Sequence, residues 1–249
     1  GGQTAHSLVP SFAIGCSPAV PSHFLMGRAP FSGNTVWWRP RRVPSKDAVV
    51  ERLVVGIGRR LQAPVERVIG SPRISRALHF RAVRAWRCTD APLILCHGNI
   101  NRSAFAAELA RHRQAKSPIS AGFYGAVGRS TPESTVVRAA EYGVDLSGHR
   151  SRVVEAGQLD AAPAIFVFDC VNIAEIASRR PSALRRTHLV GLLCPTNSAF
   201  IPDPHGQPPE VLNRVLEWIS QGICAAAPDA EATDDSSGGL VSPGREHPA

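Results

Sequence analysis

Five residues separate a cysteine, Cys96, from an arginine, Arg102, in the stretch LILCHGNINRSAFAAELARHR, which spans residues 93–113. A short apolar run ends at the cysteine and helical spacing begins beside the arginine, so the residues between them form a loop at the start of a helix. Unpaired backbone N–H groups and the helix dipole make such a loop a site for anions. The planar guanidinium of Arg102 matches two phosphoryl oxygens. This spacing predicts a phosphate cradle with a thiol at its base.

The residues within the loop suit a cradle of this kind. Gly98 lets the backbone approach a ligand closely or adopt a positive φ, and Asn99 is among the few other residues that tolerate the left-handed region. The field that binds a dianion also favours the thiolate form of Cys96. The Ser103 hydroxyl can donate a hydrogen bond to the sulfur. We therefore expect Cys96 to be a nucleophile aimed at phosphorus.

Such a nucleophile needs an acid that protonates the departing oxygen. The best candidate is Asp203, which lies between Pro202 and Pro204 in the stretch AFIPDPHGQPPE. The two prolines restrict the backbone and help to hold a carboxylate over a pocket. The sequence therefore predicts that Asp203 is the general acid.

The elements that position these residues alternate between apolar runs and helical segments. Such alternation predicts βαβ units, and hence a three-layer α/β fold with a four-stranded parallel sheet flanked by helices. The predicted strands are residues 92–96, 118–122, 163–168 and 187–191, and the predicted helices are residues 102–115, 131–142, 171–179 and 208–223.

Composition divides the chain of 249 residues into four parts. We predict a disordered segment at 1–45, a basic helical extension at 46–88, the α/β domain at 89–225 and a disordered acidic tail at 226–249. Residues 1–88 hold thirteen arginines and one lysine against three acids.

The extension contains two candidate helices, at residues 46–62 and 73–87, with Ser45 as a plausible N-cap. Their basic faces could bind an anionic membrane surface or an acidic partner. Alternatively they pack on the neighbouring domain and leave their charges in solvent. We expect no nucleic-acid partner.

The cysteines and the hydropathy indicate a reduced, cytoplasmic protein. Six cysteines are widely and irregularly spaced, without a CxxC pair, which is typical of free thiols. Their spacing does not fit a tetrahedral zinc site. No apolar run reaches the roughly 18 residues that suggest a membrane span.

Four blocks of sequence resemble the low-molecular-weight protein tyrosine phosphatase family. They are CHGNINRS at 96–103, SAGFYGAVG at 120–128, GVDLSGHRSR at 143–152 and IPDPHG at 201–206. The second block is most similar to bacterial members tied to capsule and exopolysaccharide synthesis. The resemblance covers residues from about Pro92 to Ile223.

The resemblance implies a mechanism on phosphotyrosine proteins that requires no metal or cofactor. Cys96 would form a phosphocysteine, Arg102 would stabilise the phosphoryl oxygens, and Asp203 would act as acid and then as base. The implied substrate-binding residues are His97, Gly98, Asn99, Ile100, Asn101, Ser103 and His205.

Two positions depart from the family pattern. His205 replaces the usual aromatic after Asp-Pro, and could line the pocket or simply be exposed. Asn101 replaces the second cysteine of many members, so no adjacent thiol can trap an oxidised Cys96. His149 in the third block is expected to organise a loop near the site.

Three alternatives remain open. An arsenate reductase of the same fold would need resolving thiols, for which Cys170 and the distant Cys194 are the candidates. A related branch that dephosphorylates arginine usually has threonine where this chain has Ile100. A non-catalytic phosphoprotein-binding module would require loss of the nucleophile or acid, yet Cys96 and Asp203 are present.

Overall fold

The computed structural model describes residues 46–196 and 198–227, with side chains from residue 50 onward. Three predictions concern residues outside this part of the chain: disorder at 1–45, the N-cap Ser45, and the predicted tail beyond residue 227. No helix in the described part of the chain is long and apolar enough to cross a membrane.

The predicted four-stranded parallel sheet is present. Its strands are β1 (Leu93–Cys96), β2 (Ile119–Gly122), β3 (Ile165–Val167) and β4 (Thr187–Leu189). They lie in the order β2-β1-β3-β4, and every adjacent pair is parallel. The chain thus adds β2 on one side of β1 and then crosses to β3 on the other. Ligands of open α/β sheets bind at such a reversal, beyond the carboxyl ends of the strands, which is where Cys96 lies.

Helices cover both sides of the sheet. They are α1 (Lys46–Ile69), α2 (Pro72–Arg87), α3 (Arg102–Gln114), α4 (Glu133–Ala140), α5 (Ala156–Ala161), α6 (Cys170–Arg179) and α7 (Pro209–Ala225), with 3-10 helices at Pro181–Arg186 and Val190–Leu193. The eight elements predicted from residue 92 onward are all present, with ends shifted by at most two residues.

Helix α5 and the two 3-10 helices were not predicted. The short α5 begins with a capping box, in which Glu155 and Gln158 satisfy each other's backbone N–H groups. Its six residues are too few to show helical periodicity, although the Glu-x-x-Gln spacing was a usable signal.

The prediction for the end of α1 was wrong. We expected the helix to stop at residue 62, but it continues past Pro64 to Ile69. A proline inside a helix removes one backbone donor. Here Val65 and Ile69 beyond the proline pack against the core, and this burial favours continuing the helix.

The basic extension packs on the α/β domain. Trp86 of α2 is fully buried, with its ring edge-on to Phe166 of β3 at a centroid distance of 4.9 Å. Its indole N–H donates to Gln114 Oε1 of α3 at 2.8 Å. The packing alternative is therefore confirmed for α2, while the division of the chain at residue 88 stays a prediction.

Helix α1 lies against α6 through a glycine. Gly58 is buried, and a Cβ atom built on it would lie 2.6 Å from the Cα of Val171. This distance is far below van der Waals contact, so the two helix backbones approach as closely as they do only because residue 58 has no side chain. Not all large apolar side chains of α1 are covered, since Leu53, Ile57 and Leu61 remain exposed.

Candidate active site

The cradle predicted after β1 surrounds the sulfur of Cys96. Cys96 is 3% exposed, and its Sγ lies 3.0 Å from the Ser103 hydroxyl, as expected. The backbone N–H of Asn99 also donates to this sulfur, at 3.2 Å. The Asn99 side chain donates to the Ser103 hydroxyl oxygen at 3.0 Å, and the hydroxyl proton has two acceptors within reach, Cys96 Sγ and the Ala121 carbonyl oxygen at 3.4 Å. The loop thus directs donors at Cys96.

The left-handed residue of the loop is Asn99, with φ of 50°, and not Gly98. Asn99 is fully buried, and hydrogen bonds to its side chain and to its carbonyl oxygen hold its conformation. Its side-chain oxygen accepts from the Arg152 N–H at 2.9 Å, and its carbonyl oxygen accepts from His149 Nε2 at 2.7 Å. His149 therefore organises the loop, as predicted.

Two glycines allow the loop to lie where it does. A Cβ on Gly122, at the end of β2, would lie 2.8 Å from the His97 carbonyl oxygen and 3.0 Å from the Asn99 nitrogen. A Cβ on Gly98 would lie 3.1 Å from Nη2 of Arg129, which donates to the Gly98 carbonyl at 2.7 Å. The contact at Gly98 is with the end of a flexible side chain, so it is less restrictive than the backbone contacts at Gly122.

The side chains of Ile100 and Asn101 are both buried in the fold. Ile100 is buried, and the Asn101 side-chain oxygen accepts from the Thr135 hydroxyl at 2.9 Å. These two predicted binding residues can therefore offer only backbone N–H groups to a ligand.

Arg102 is buried and held by carboxylates. It is 1% exposed, and Nη1 donates to Asp169 Oδ2 at 2.6 Å and to the Ile201 carbonyl at 2.9 Å. Nη2 lies 3.1 Å from Asp203 Oδ2. Burial opposes the charged form, but Asp169 and Asp203 more than offset it, so the pKa of Arg102 is raised. Its Nε is buried without a hydrogen-bond partner in the described structure, so a donor remains for a phosphoryl oxygen.

Asp203 reaches the cradle from the loop between β4 and α7. Its side chain is 41% exposed, beside Arg102. One carboxylate oxygen accepts from the backbone N–H of His205 at 3.3 Å, which helps to orient the group. The His205 side chain is exposed, so it does not form a wall of the pocket in this structure.

Asp169 is a site residue that sequence analysis missed. It is the N-cap of α6, where its Oδ1 accepts from the Asn172 N–H at 2.8 Å while Oδ2 accepts from Arg102. An aspartate directly before a helix is a recognisable cap signal. Nothing in its spacing connects it to Arg102, because the two are brought together only by adjacent parallel strands.

A pocket of about 180 Å³ opens above these groups. It is lined by Val55, Arg59, Gln62, His97, Arg102, Asp169, Val171, Asn172, Pro202 and Asp203. The first three belong to α1, so the extension contributes to the walls. His97 packs its ring 5.5 Å from that of Tyr124, and its Nδ1 is buried without a partner in the described residues.

Of the two thiols proposed for an arsenate relay, Cys170 does not suit that role. Cys170 is buried, and burial, with Asp169 and Glu66 nearby, raises the pKa of its thiol to about 11. A thiol that stays protonated is a poor attacking group. Cys194 is partly exposed and contacts the Thr196 hydroxyl at 3.1 Å.

Comparison with known proteins agrees with this geometry. The family model described as low molecular weight phosphotyrosine protein phosphatase matches residues 93–231. A probable low molecular weight protein-tyrosine-phosphatase, EpsP, from Ralstonia nicotianae is 33% identical over 141 residues, which are 56% of this chain and 95% of that protein. The low molecular weight protein-tyrosine-phosphatase Etp of Escherichia coli K12 is 30% identical over 133 residues, 52% of this chain and 88% of Etp.

Solved structures show the same relationship. The tyrosine phosphatase amsI of Erwinia amylovora is 25% identical and covers 55% of this chain and 91% of its own, with a TM-score of 0.52. Wzb of Escherichia coli K30, solved with sulphate, is 27% identical and covers 55% of this chain and 94% of its own, with a TM-score of 0.50. The chain belongs to the low molecular weight phosphotyrosine protein phosphatase family. It is a protein-tyrosine-phosphatase, and the predicted resemblance, fold and enzyme class are confirmed.

Proposed function

We propose that Cys96 is the nucleophile of a two-step hydrolysis of phosphotyrosine. The observation that carries this assignment is the pair of contacts on its sulfur, with the Ser103 hydroxyl and with the Asn99 backbone N–H, inside a loop that also presents Arg102. The Cys96 thiolate attacks phosphorus and the bond to the tyrosine oxygen breaks. Backbone N–H groups of residues 97–102 and the Arg102 guanidinium stabilise the charge on the equatorial oxygens.

Asp203 moves the protons of both steps. In the first step its carboxylic acid gives a proton to the leaving phenolate. In the second step its carboxylate takes a proton from a water molecule that attacks the phosphocysteine. Inorganic phosphate departs, and the Cys96 thiolate and the protonated acid are restored. The 3.1 Å contact with Arg102 supports this role, because it places the carboxyl beside the phosphate cradle.

The proposed substrate is a tyrosine-phosphorylated protein in the cytoplasm. By the resemblance of residues 120–128 to bacterial members tied to exopolysaccharide synthesis, we favour a phosphorylated tyrosine kinase or another enzyme of surface-polysaccharide synthesis. The relatives supply only the enzyme class. His205 follows Asp203 by two residues, and we propose that its exposed side chain contacts the leaving group as a substrate-binding residue.

Hydrolysis of an aryl phosphate near pH 6 tests the assignment. We expect no turnover by Cys96→Ser and a loss of about 10²- to 10⁴-fold in kcat for Asp203→Ala, the usual contribution of a general acid. Cys224→Ser is the matched control, since Cys224 is an exposed thiol of α7. Turnover by Cys96→Ser, or binding of phosphopeptide without turnover by the unchanged chain, would contradict the proposal.

A further inference from the structure

Helix α1 forms a wall of the active-site pocket although it precedes the part of the chain that matches the family. The family model begins at residue 93, whereas α1 ends at Ile69. A second pocket of about 580 Å³ adjoins the first and shares Val55, Arg59 and His97 with it. A groove therefore runs from the phosphate cradle along α1. Arg59 lies where the two pockets meet.

Helix α1 brings to the lining of this groove two arginines that have no charged partner in the described part of the chain. Arg102 has its charge balanced by Asp169 and Asp203. Within the described residues, in contrast, neither Arg52 nor Arg59 has an ion pair or hydrogen bond. Both side chains are exposed, so they are available to an incoming ligand.

Among the described residues, one acid lines the second pocket. It is Glu51, one residue before Arg52. Tyr124 also lines this pocket, and the guanidinium of Arg129 lies 4.9 Å from the Tyr124 ring centroid while it donates to the Gly98 carbonyl. The groove therefore has an excess of positive charge beside the phosphate cradle.

The position of Arg59 is set by its neighbour Gly58. Gly58 lies in backbone contact with Val171 of α6, and the N-cap of α6 is Asp169, which binds Arg102. The same helix thus locates the phosphate-binding arginine and the α1 arginine. A charge on such a fixed element can select a substrate at low entropic cost.

We propose that Arg59, assisted by Arg52, forms a second anion subsite that binds an acidic or phosphorylated side chain next to the phosphotyrosine of the substrate. The inference rests on the proposed function of the Cys96 cradle. An aspartate, a glutamate or a second phosphotyrosine would each supply the anion. The basic extension would then have the substrate itself as its acidic partner.

The test compares peptides on the full chain. Three phosphotyrosine peptides differ only in the residues that flank the phosphotyrosine: alanine, glutamate, or a second phosphotyrosine. The unchanged chain should show a higher kcat/KM for one or both anionic peptides than for the alanine peptide, and this preference should shrink as ionic strength rises. A preference for the glutamate peptide would identify a carboxylate as the ligand of the subsite, and a preference for the doubly phosphorylated peptide would identify a phosphate.

Arg59→Gln should reduce the ratio of kcat/KM between the anionic and alanine peptides about two- to fivefold, as expected for a partly exposed ion pair. The loss should appear mainly in KM. Arg60→Gln is the matched control, because Arg60 is exposed on the same helix and lines neither pocket. It should leave the ratio unchanged.

An equal ratio for Arg59→Gln and the unchanged chain would overturn the subsite, as would an equal loss with Arg60→Gln. No preference for either anionic peptide would also overturn it. Turnover of the alanine peptide tests the proposed function separately: if that turnover is present, these outcomes refute only the Arg59 subsite.

Discussion

Replacing Gly58 by alanine tests whether α1 is held against the catalytic fold by backbone contact. The new Cβ would lie 2.6 Å from Val171 Cα, whereas carbon atoms prefer about 3.5–4.0 Å, so the helices must separate by roughly 1 Å. Overpacking of this kind costs about 1–3 kcal/mol. We expect α1 to undock partly and to carry Arg59 with it.

Gly56 supplies the matched control, since a Cβ there meets nothing within 4 Å. Both changes gain about 0.8–1.0 kcal/mol from the better helix propensity of alanine. The difference between Gly56→Ala and Gly58→Ala in free energy of unfolding therefore isolates the packing cost, and we expect about 1–3 kcal/mol.

Urea unfolding measures this difference, and hydrogen exchange of the α1 amides shows whether the loss is local. Gly58→Ala should speed exchange in residues 50–69, while Gly56→Ala should slow it or leave it unchanged. Equal stability of the two variants together with equal exchange would refute the close contact between α1 and α6.

Three further predictions concern the site. Asp169→Asn leaves the buried Arg102 with less compensating charge, so urea unfolding should show a free energy of unfolding lower by about 3 kcal/mol. Kinetic assays should show a higher KM for an aryl phosphate. Unchanged values would contradict the pairing of Asp169 with Arg102. Burial lowers the pKa of His149 from 6.5, so the unfolded chain binds more protons than the folded chain and the free energy of unfolding should fall as pH drops below 6.5. In His149→Gln this fall should be shallower. An equal pH dependence of the free energy of unfolding in the two proteins would refute this contribution of His149. After peroxide inactivation, thiol should restore only part of the activity, because Asn101 provides no thiol beside Cys96; complete recovery in an activity assay would contradict this.

The core of the fold and the cradle could be predicted because their signals are local. An apolar run that ends at Cys96, a loop of five residues and an arginine at a helix start lie within one short stretch. Asn99 was expected to tolerate the left-handed region for the same reason, since this preference belongs to the residue itself.

The features that the sequence did not reveal arise between distant segments. Asp169 meets Arg102 because β1 and β3 are neighbours, and α1 meets the pocket because Gly58 fits against α6. Neither contact is indicated by the spacing of residues along the sequence. The predicted helix ended at residue 62, just before Pro64, whereas packing of the following turn against the core accompanies its continuation to Ile69.

Trapping the phosphoryl group is the most direct test of the central claim, that Cys96 attacks phosphorus. Asp203→Ala lacks both the proposed acid of the first step and the proposed base of the second, so the intermediate should accumulate when this variant is mixed with an aryl phosphate whose phenolate leaves without protonation, such as p-nitrophenyl phosphate, and quenched rapidly. We expect mass spectrometry to find the phosphoryl group on Cys96, and on no residue when Cys96→Ser is added to the variant. A phosphoryl group on another residue, or its persistence after Cys96→Ser, would contradict the mechanism.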